Sequence, residues 1–416
     1  MKVAAQTDDA EGAKWPRVPL NSVCQINPRR TPALPLRDDE PTAFVPMPAV
    51  DAQKGVITQQ LERPFGEVKK GYTYFENGDV IFAKITPCMQ NGKHAVCRDL
   101  RRGFGFGSTE FHVLRPRPDL LADYLHLFLR QSSLLEDAER FLTGAVGQQR
   151  LPDDYLRGID IPLPPLPEQE RITKRVTEQL AAVERSRGAS QARLAAAEAL
   201  PAAYLRQVFE GPEAGEWPVV AVQNFAEVNG GVQKSPARSA HSFHRPYLTV
   251  RNVQRGSLDL SNVERFEVTT AELGRLRLCR GDILIVEGNG SPDQIGRNAI
   301  FDIEGEEWVH QNHVIRVRLT EAADCHYVSR YLNSDAGRLQ MLERARSTSG
   351  LYTLSVEKVN SLEVPLPPPA LQKRIAADLS RRLADVERLT ASLRGEFAAI
   401  QALPAAILRA AFNGDD

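Results

Sequence analysis

No apolar stretch in these 416 residues approaches the roughly 20 needed to span a bilayer. The opening MKVAAQTDDAEGAKW carries acids and polar residues where a secretory signal would need an apolar run. Cysteine is scarce: Cys24, Cys88, Cys97, Cys279 and Cys325 are odd in number and show no C-x-x-C spacing. That pattern argues for a reducing cytoplasm and against a disulfide framework or structural zinc. An excess of one charge is lacking as well. With 52 Lys+Arg against 53 Asp+Glu the net charge is -1, so the chain does not have the footprint of a generic nucleic-acid binder. Any nucleic acid must meet local basic clusters, or a partner must supply charge. What is present, 42% hydrophobic and 25% charged residues, suits a globular protein with two or three cores.

Catalytic signatures are missing too. There is no G-x-x-x-x-G-K-[ST] phosphate loop. FGFGS at 104–108 has methyltransferase-like glycines but no N-P-P-Y-like pocket downstream, and it reads as a glycine-rich turn between strands. GDVIFAK and GDILIVEGN would need two acids and a lysine to hold magnesium for a nuclease. The first has Asp79 and Lys84 without the second acid; the second has Asp282 and Glu287 but Asn289 in place of the lysine. Both read as turns before buried strands. His310 and His313 in HQNH have no third ligand at sensible spacing and read as loop or strand histidines.

What is there is a repeat. Laying residue n over n+203 aligns 162–211 with 365–414 without a gap, and nearly half of the positions are identical. IPLPPLPEQERI at 161–172 answers VPLPPPALQKRI at 364–375, and Leu-Pro-Ala-Ala recurs at Leu200 and Leu403. Upstream, Gly78-Asp79-Val80-Ile81 falls on Gly281-Asp282-Ile283-Leu284, and Tyr124 on Tyr327; Trp15-Pro16 recurs at Trp217-Pro218, shifted by one. Two copies make a duplication, not a solenoid.

Each copy ends in a helical pattern. Ile375, Leu379, Leu383, Val386, Leu389, Leu393, Phe397, Ile400 and Leu403 step by three or four, close to a heptad. Ile172, Val176, Leu180, Val183, Leu194 and Ala197 do so in the first copy, less regularly around Arg187-Gly188. The prolines of the lead-in cannot continue a helix backwards. Gly211 and Gly414 stand where capping glycines belong, and a kink or break is expected at Pro201 and Pro404. A coiled-coil seam between two molecules and a pair within one chain both satisfy the pattern; two matched helices in one chain favour the second. The globular parts carry short β-branched runs (79–85, 282–286, 111–115, 313–319) and one amphipathic segment each (121–131, 325–334). They read as α+β domains around irregular sheets.

Positive charge is local. From Val228 to Leu258 there is no acid, while Lys234, Arg238, Arg245, Arg251 and Arg255 occur with His241, His244, Gln233 and Asn252. In the first copy Lys84, Gln90, Asn91, Lys93 and His94 precede Arg98, Arg101 and Arg102. Arg and Lys suit guanine edges and phosphates, Asn and Gln suit adenine edges. A solvated charged face would use the same residues.

The pattern resembles the specificity subunit of type I restriction–modification systems over essentially the whole chain. The run GQQRLPDDYLRGIDIPLPPLPEQERI from Gly147 carries the resemblance most sharply, with its echo from Gly350, the Trp-Pro openings, and Asn91-Gly92-Lys93 beside Ile295-Gly296-Arg297. The resemblance implies two α/β target-recognition domains, 1–160 and 212–363, each reading one half of a bipartite site in double-stranded DNA. It further implies that conserved helical regions, 161–211 and 364–416, pair as an antiparallel coiled coil, set the gap and dock two methyltransferase subunits, with restriction subunits as further partners. On that view there is no catalytic, cofactor or metal site; S-adenosylmethionine belongs to the methyltransferase. DNA contacts are then expected from Lys84, Gln90, Asn91, Lys93, Arg102, Lys234, Arg238, Arg251, Asn252 and Arg297. Partner contacts are expected on the helices at Gln169, Arg171, Ile172, Leu180, Gln372, Arg374, Ile375 and Leu383. Leu371 and Lys373 depart from Glu168 and Glu170 at the second lead-in. An adaptor with two protein-binding domains, or a nuclease with an unrecognised site, are the rival classes.

Overall fold

The β-branched runs form strands where the sequence places them. The computed structural model describes residues 15–30, 36–145, 147–233, 243–288, 294–345 and 352–413. Lys234, Arg238, His241, Asn289, Gly350 and Gly414 lie outside the described residues. Contacts divide the chain into two units, 1–190 with 396–416, and 191–395. Each unit therefore takes in part of both long helices, a division the sequence copies do not draw.

In the first unit one sheet runs in the order Cys24–Ile26, Phe111–Pro116, Val80–Ala83, His94–Val96, antiparallel throughout. All four residues of Val80–Ala83 are buried, which is why that run has no alternation. A second sheet runs Leu61–Pro64, Pro41–Val45, Phe104–Gly107, Thr73–Glu76, with its central pair parallel. FGFGS is thus a strand, not the turn between strands expected above. A Cβ on Gly107 would fall 2.5 Å from the Val45 carbonyl oxygen, so the close approach of the two strands requires glycine there. The second unit repeats the first sheet as Ala226–Gly230, Val314–Leu319, Ile283–Val286 and Asn298–Ile300. Of the other it keeps Glu264–Val268, Phe243–Leu248 and Val309–His310. The amphipathic segments are the helices Ala122–Leu129 and Cys325–Asn333, burying Tyr124 and Tyr327 in the respective cores.

The Trp-Pro and Pro-rich segments close each globular part on itself. Arg17–Pro19 pairs with Asp160–Pro162, and Val219–Ala221 with Glu363–Pro365, both antiparallel. Leu163 then donates to the Pro16 carbonyl at 2.9 Å, and Leu366 to that of Pro218 at 2.8 Å. The long helices start directly after these stitches, as Leu166–Phe209 and Pro369–Asn413, 44 and 45 residues long. At about 1.5 Å per residue each extends about 66 Å. Proline in a first turn is tolerated because amides there have no helical acceptor.

Of the kink or break expected, there is no break: each helix runs on through Pro201 or Pro404. An interior proline costs about 3 kcal/mol. Eight residues further on, Phe209 lies 5.4 Å from the rings of Tyr327 and Tyr331. Phe412 lies 5.1 Å from Tyr124 and 5.5 Å from Phe128. Removing such a buried ring costs about 3–5 kcal/mol, so burial of the terminal turn offsets the proline. Gly211 is not the left-handed cap expected: its φ is -74°. It is needed because a Cβ would sit 2.3 Å from the Gln207 carbonyl oxygen.

The two helices pair antiparallel within one chain. In the second unit Glu198 bonds Arg394 at 2.7 Å, the Arg382 guanidinium lies 5.4 Å from the Tyr204 ring centre, and Val208 shares a groove with Ile375. Partner numbers fall as the first helix's numbers rise. In the first unit Ile172 and Val176 share a core with Leu408 and Phe412. The seam follows the heptad Gln372, Leu379, Val386, Leu393 with Ala376 and Thr390, all buried. Leu389 and Leu403, expected on the seam, are 44% and 43% exposed. Steps of three or four admitted either face, and packing chose Thr390 over its apolar neighbour.

Candidate nucleic-acid interface

Three attachments recur in the two units, the first two residue for residue. The first lies at the GD turns. Asp79, 1% exposed, takes Arg115 Nε and Nη2 at 2.7 and 2.8 Å on its two oxygens; Asp282 takes Arg318 at 2.8 and 2.7 Å. The carboxylates in turn hold both guanidinium pKa values above their usual level. Each carboxylate also accepts a backbone amide of its own turn, from Glu76 and Cys279, at 2.7 Å. These acids brace a turn before a buried strand, each carboxylate already accepting three hydrogen bonds from its own unit.

The second attachment docks each long helix. Gln169 Oε1 accepts from Leu121 N at 2.9 Å, and its Nε2 donates to Asp119 and Pro164 carbonyls at 2.8 and 2.9 Å. Gln372 accepts from Asp324 N at 2.9 Å and donates to Ala322 and Pro367 at 3.1 and 2.7 Å. Both glutamines are fully buried and Ile172 is 3% exposed, so their assignment to partner contacts is corrected: they bind the helix to its own globular part. Leu180, Ile375 and Leu383 are half-buried. Arg171 and Arg374 face solvent; Arg171 is forked onto Glu168 at 2.8 and 2.7 Å, a pair not repeated because Leu371 stands in the second copy.

The third attachment engages part of the expected DNA face. Lys93 Nζ donates to the Met47 carbonyl at 3.1 Å, and Arg297 Nη2 to the Val250 carbonyl at 2.7 Å, the equivalent place. Arg297 also bonds Gln294 at 2.7 Å, and burial lowers its pKa. Asn252, 3% exposed, accepts from Thr249 N and donates to the Asp259 and Asn262 carbonyls, each at 2.9 Å. These three side chains hold loops, and Asn252 has no edge left for a base. Gln90, Asn91 and Arg251 are exposed, Lys84 is half-buried, and exposed Arg102 pairs with Glu40 from a left-handed backbone at φ 60°.

Between the first sheet and the helix 122–129 lies a buried polar junction that sequence reading missed. His94 stacks on Phe82, centroids 5.4 Å apart, and meets His126 edge-on at 5.1 Å. Burial pushes both imidazoles down, His126 to about 4. The second unit places Asn298, Ser329 and Asn333 here, with Ser329 donating to Asn298 at 2.8 Å. Of HQNH, His310 is buried against the Val314 carbonyl at 2.7 Å while exposed His313 meets Glu287 at 2.8 Å. The two imidazoles thus have separate protein partners. Among the described residues no group of three or more His, Cys, Asp or Glu is placed to hold a metal, and no helix is long and apolar enough to cross a membrane.

Residues 13–188 match the model of the type I restriction modification DNA specificity domain. The chain is 39% identical over 166 residues to the EcoAI type I restriction enzyme specificity subunit of Escherichia coli, covering 39% of this chain and 28% of that relative's length. To the EcoKI specificity subunit of Escherichia coli strain K12 it is 25% identical over 315 residues, 73% of this chain and 67% of that one. The HsdS subunit of Thermoanaerobacter tengcongensis superposes with a TM-score of 0.66, 21% identity and 98% coverage of both chains. A chain from a structure of type I R-M complex assembly and conformational transition gives 0.73, at 21% identity, covering 98% of this chain and 99% of that one. These two superpositions bear on the fold, and the sequence matches show a chain similar to type I restriction enzyme specificity subunits, with a type I restriction modification DNA specificity domain matched over residues 13–188.

Proposed function

We propose that the chain is the DNA-reading, non-catalytic subunit of a type I restriction–modification complex, each unit reading one half of a bipartite site in double-stranded DNA. The observation that carries this reading is the repeat of the attachments. Two domains fastened to a shared helix pair by the same bonds are two readers on one spacer. The paired helices set the gap, and their exposed faces, which include Arg171 and Arg374, dock two methyltransferase subunits; restriction subunits join the same assembly. S-adenosylmethionine and the methyl transfer belong to the methyltransferase, and the complex works in the cytoplasm. Lys84, Gln90, Asn91, Arg102 and Arg251 contact DNA, with Lys234 and Arg238 from the acid-free stretch. The exposure of Gln90, Asn91, Arg102 and Arg251 supports this assignment, as does the unusual backbone of Arg102, since strain of that kind clusters at functional sites. Partner subunits supply the charge that a net of -1 does not.

The test is co-expression with the methyltransferase encoded beside it, followed by methylome sequencing. The expected result is methylation at a split site, and neither methylation nor cleavage by the purified chain alone. Methyl transfer or cutting by the chain without partners would overturn the proposal.

A further inference from the structure

Lys93 and Arg297 were expected to touch DNA, yet each reaches across its unit to a carbonyl 46 or 47 residues away. We infer that they are positioning residues, each locking the loop after one outer-sheet strand, and that those loops, 47–60 and 250–262, carry the base-reading side chains. This rests on the half-site reading above and names the part of each unit that does the reading.

Both loops are exposed but fixed from three sides. From the turn after the central strand comes the Lys93 or Arg297 bond. From within, Asp51 accepts the amides of Gln53 and Lys54 at 2.8 and 2.9 Å, and Asn252 ties 249 to 259 and 262. From the buried polar junction, Arg130 bonds the Gln53 carbonyl, Asn298 accepts the Gly256 amide at 2.8 Å, and Asn333 meets Arg255 at 3.3 Å. The residues making these bonds differ between units: Lys for Arg, Asp for Asn, Arg130 for Asn333. The same loop is held in both.

Ala49 and Val50 in one loop and Val253 in the other are packed in the core, and holding the exposed remainder orders backbone at an entropic cost. It does prepay the ordering that a binding partner would otherwise have to supply. The side chains presented are of reading type and differ between the loops: Gln53, Lys54, Gln59 and Gln60 in one, Arg251, Ser257 and Ser261 in the other, all exposed. Two equally rigid loops with different donors and acceptors suit two different half-sites.

The test uses the full chain alone and in complex with its methyltransferase. In the chain alone, Lys93→Met should raise amide exchange across 47–60 about tenfold, the loss of one charge-assisted hydrogen bond, while Lys93→Arg stays near wild type. In the complex, Lys93→Met should relax the letters of one half-site only, and Arg297→Met those of the other. Lys54→Ala, which removes no holding side chain, should alter the same half-site as Lys93→Met even if the latter folds poorly. Unchanged exchange would end the positioning role. Looser loops with unchanged letters, or a lower salt slope with letters intact, would show that the loops do not read while two half-sites still stand. If the wild-type complex methylates no split site, the half-site reading itself falls, and this inference with it.

Discussion

Replacing Gln169 by leucine should unfasten the first long helix from its globular part. The side chain makes three hydrogen bonds, at 2.9, 2.8 and 2.9 Å, from a fully buried position. Leucine fills nearly the same volume, so little cavity forms; what is lost is the partner of one amide and two carbonyls. A buried group left unsatisfied costs about 1–3 kcal/mol. Three such groups on one amide do not add fully, since water reaches some of them once the helix lead-in loosens, so about 3–4 kcal/mol is expected. In a unit of about 200 residues 1 kcal/mol shifts the melting temperature by about 2–4 °C, giving a drop of about 6–16 °C. Calorimetry of the full chain would read it, with amide exchange at Leu121 placing the damage at the junction. Gln372→Leu should do the same to the second unit. If Gln169→Leu left stability untouched and only weakened a partner subunit's binding, the docking argument would be refuted.

Phe412→Ala should destabilise the first unit by about 3–5 kcal/mol, and Phe209→Ala the second, each with fraying back toward Pro404 or Pro201 in amide exchange; equal loss in both units from either change would contradict the separate aromatic pockets. His94 and His126 in the first unit and His310 in the second are held neutral by burial, the latter two to about 4. Because the unfolded chain takes up protons near pH 6.5, their contribution is full above that value and declines as pH falls, by about 2 kcal/mol each for His126 and His310 between pH 7 and 5. Urea melts should show the decline, and His126→Ser should remove its share. Inserting four residues between Leu180 and Leu194, matched between Leu383 and Phe397, adds about 6 Å and keeps the seam nearly in phase, whereas two residues turn it away. The methylated motif should keep its half-site letters and widen its gap by about one or two base pairs at about 3.4 Å each; altered letters over an unaltered gap would show that the helices do not set the spacing.

The repeat, the central strands and the two long helices were legible because burial imposes a period on sequence: continuous for Val80–Ala83 and Ile283–Val286, near-heptad for the helices. The phase of the seam was less so. Leu389 outranks Thr390 in hydrophobicity, but Thr390 lies at the heptad position and is 8% exposed. Glycine misled twice, as a turn at Gly105 and Gly107 and as a left-handed cap at Gly211, where close approach to a carbonyl was the cause. The candidate site was legible only as a region. A lysine that crosses a fold to reach a carbonyl has the same local sequence as one that reaches solvent, so Lys93 and Arg297 looked like readers. The offset between the copies held the one clue: both targets, Met47 and Val250, lie one repeat apart.

Comparing the two units separates what can drift from what cannot. The Asp–Arg forks, the helix-docking glutamines and the terminal phenylalanines are the same residues in both. Each is half of a buried pair, and changing one member leaves a charge, an amide or a ring pocket without its partner, at several kcal/mol. No single substitution crosses that barrier cheaply. The junction under the loops is built differently: His94, His126 and Arg130 in one unit, Asn298, Ser329 and Asn333 in the other. Different chemistries fill that depth: His94 stacks on Phe82 and meets His126 edge-on, whereas Ser329 is hydrogen-bonded to Asn298. The second sheet, four-stranded in one unit and three-stranded in the other among the described residues, varies further still. Rigidity against the helices and freedom toward the solvent are thus assigned to different bonds. A chain built this way can change what a unit reads without moving where that unit is held.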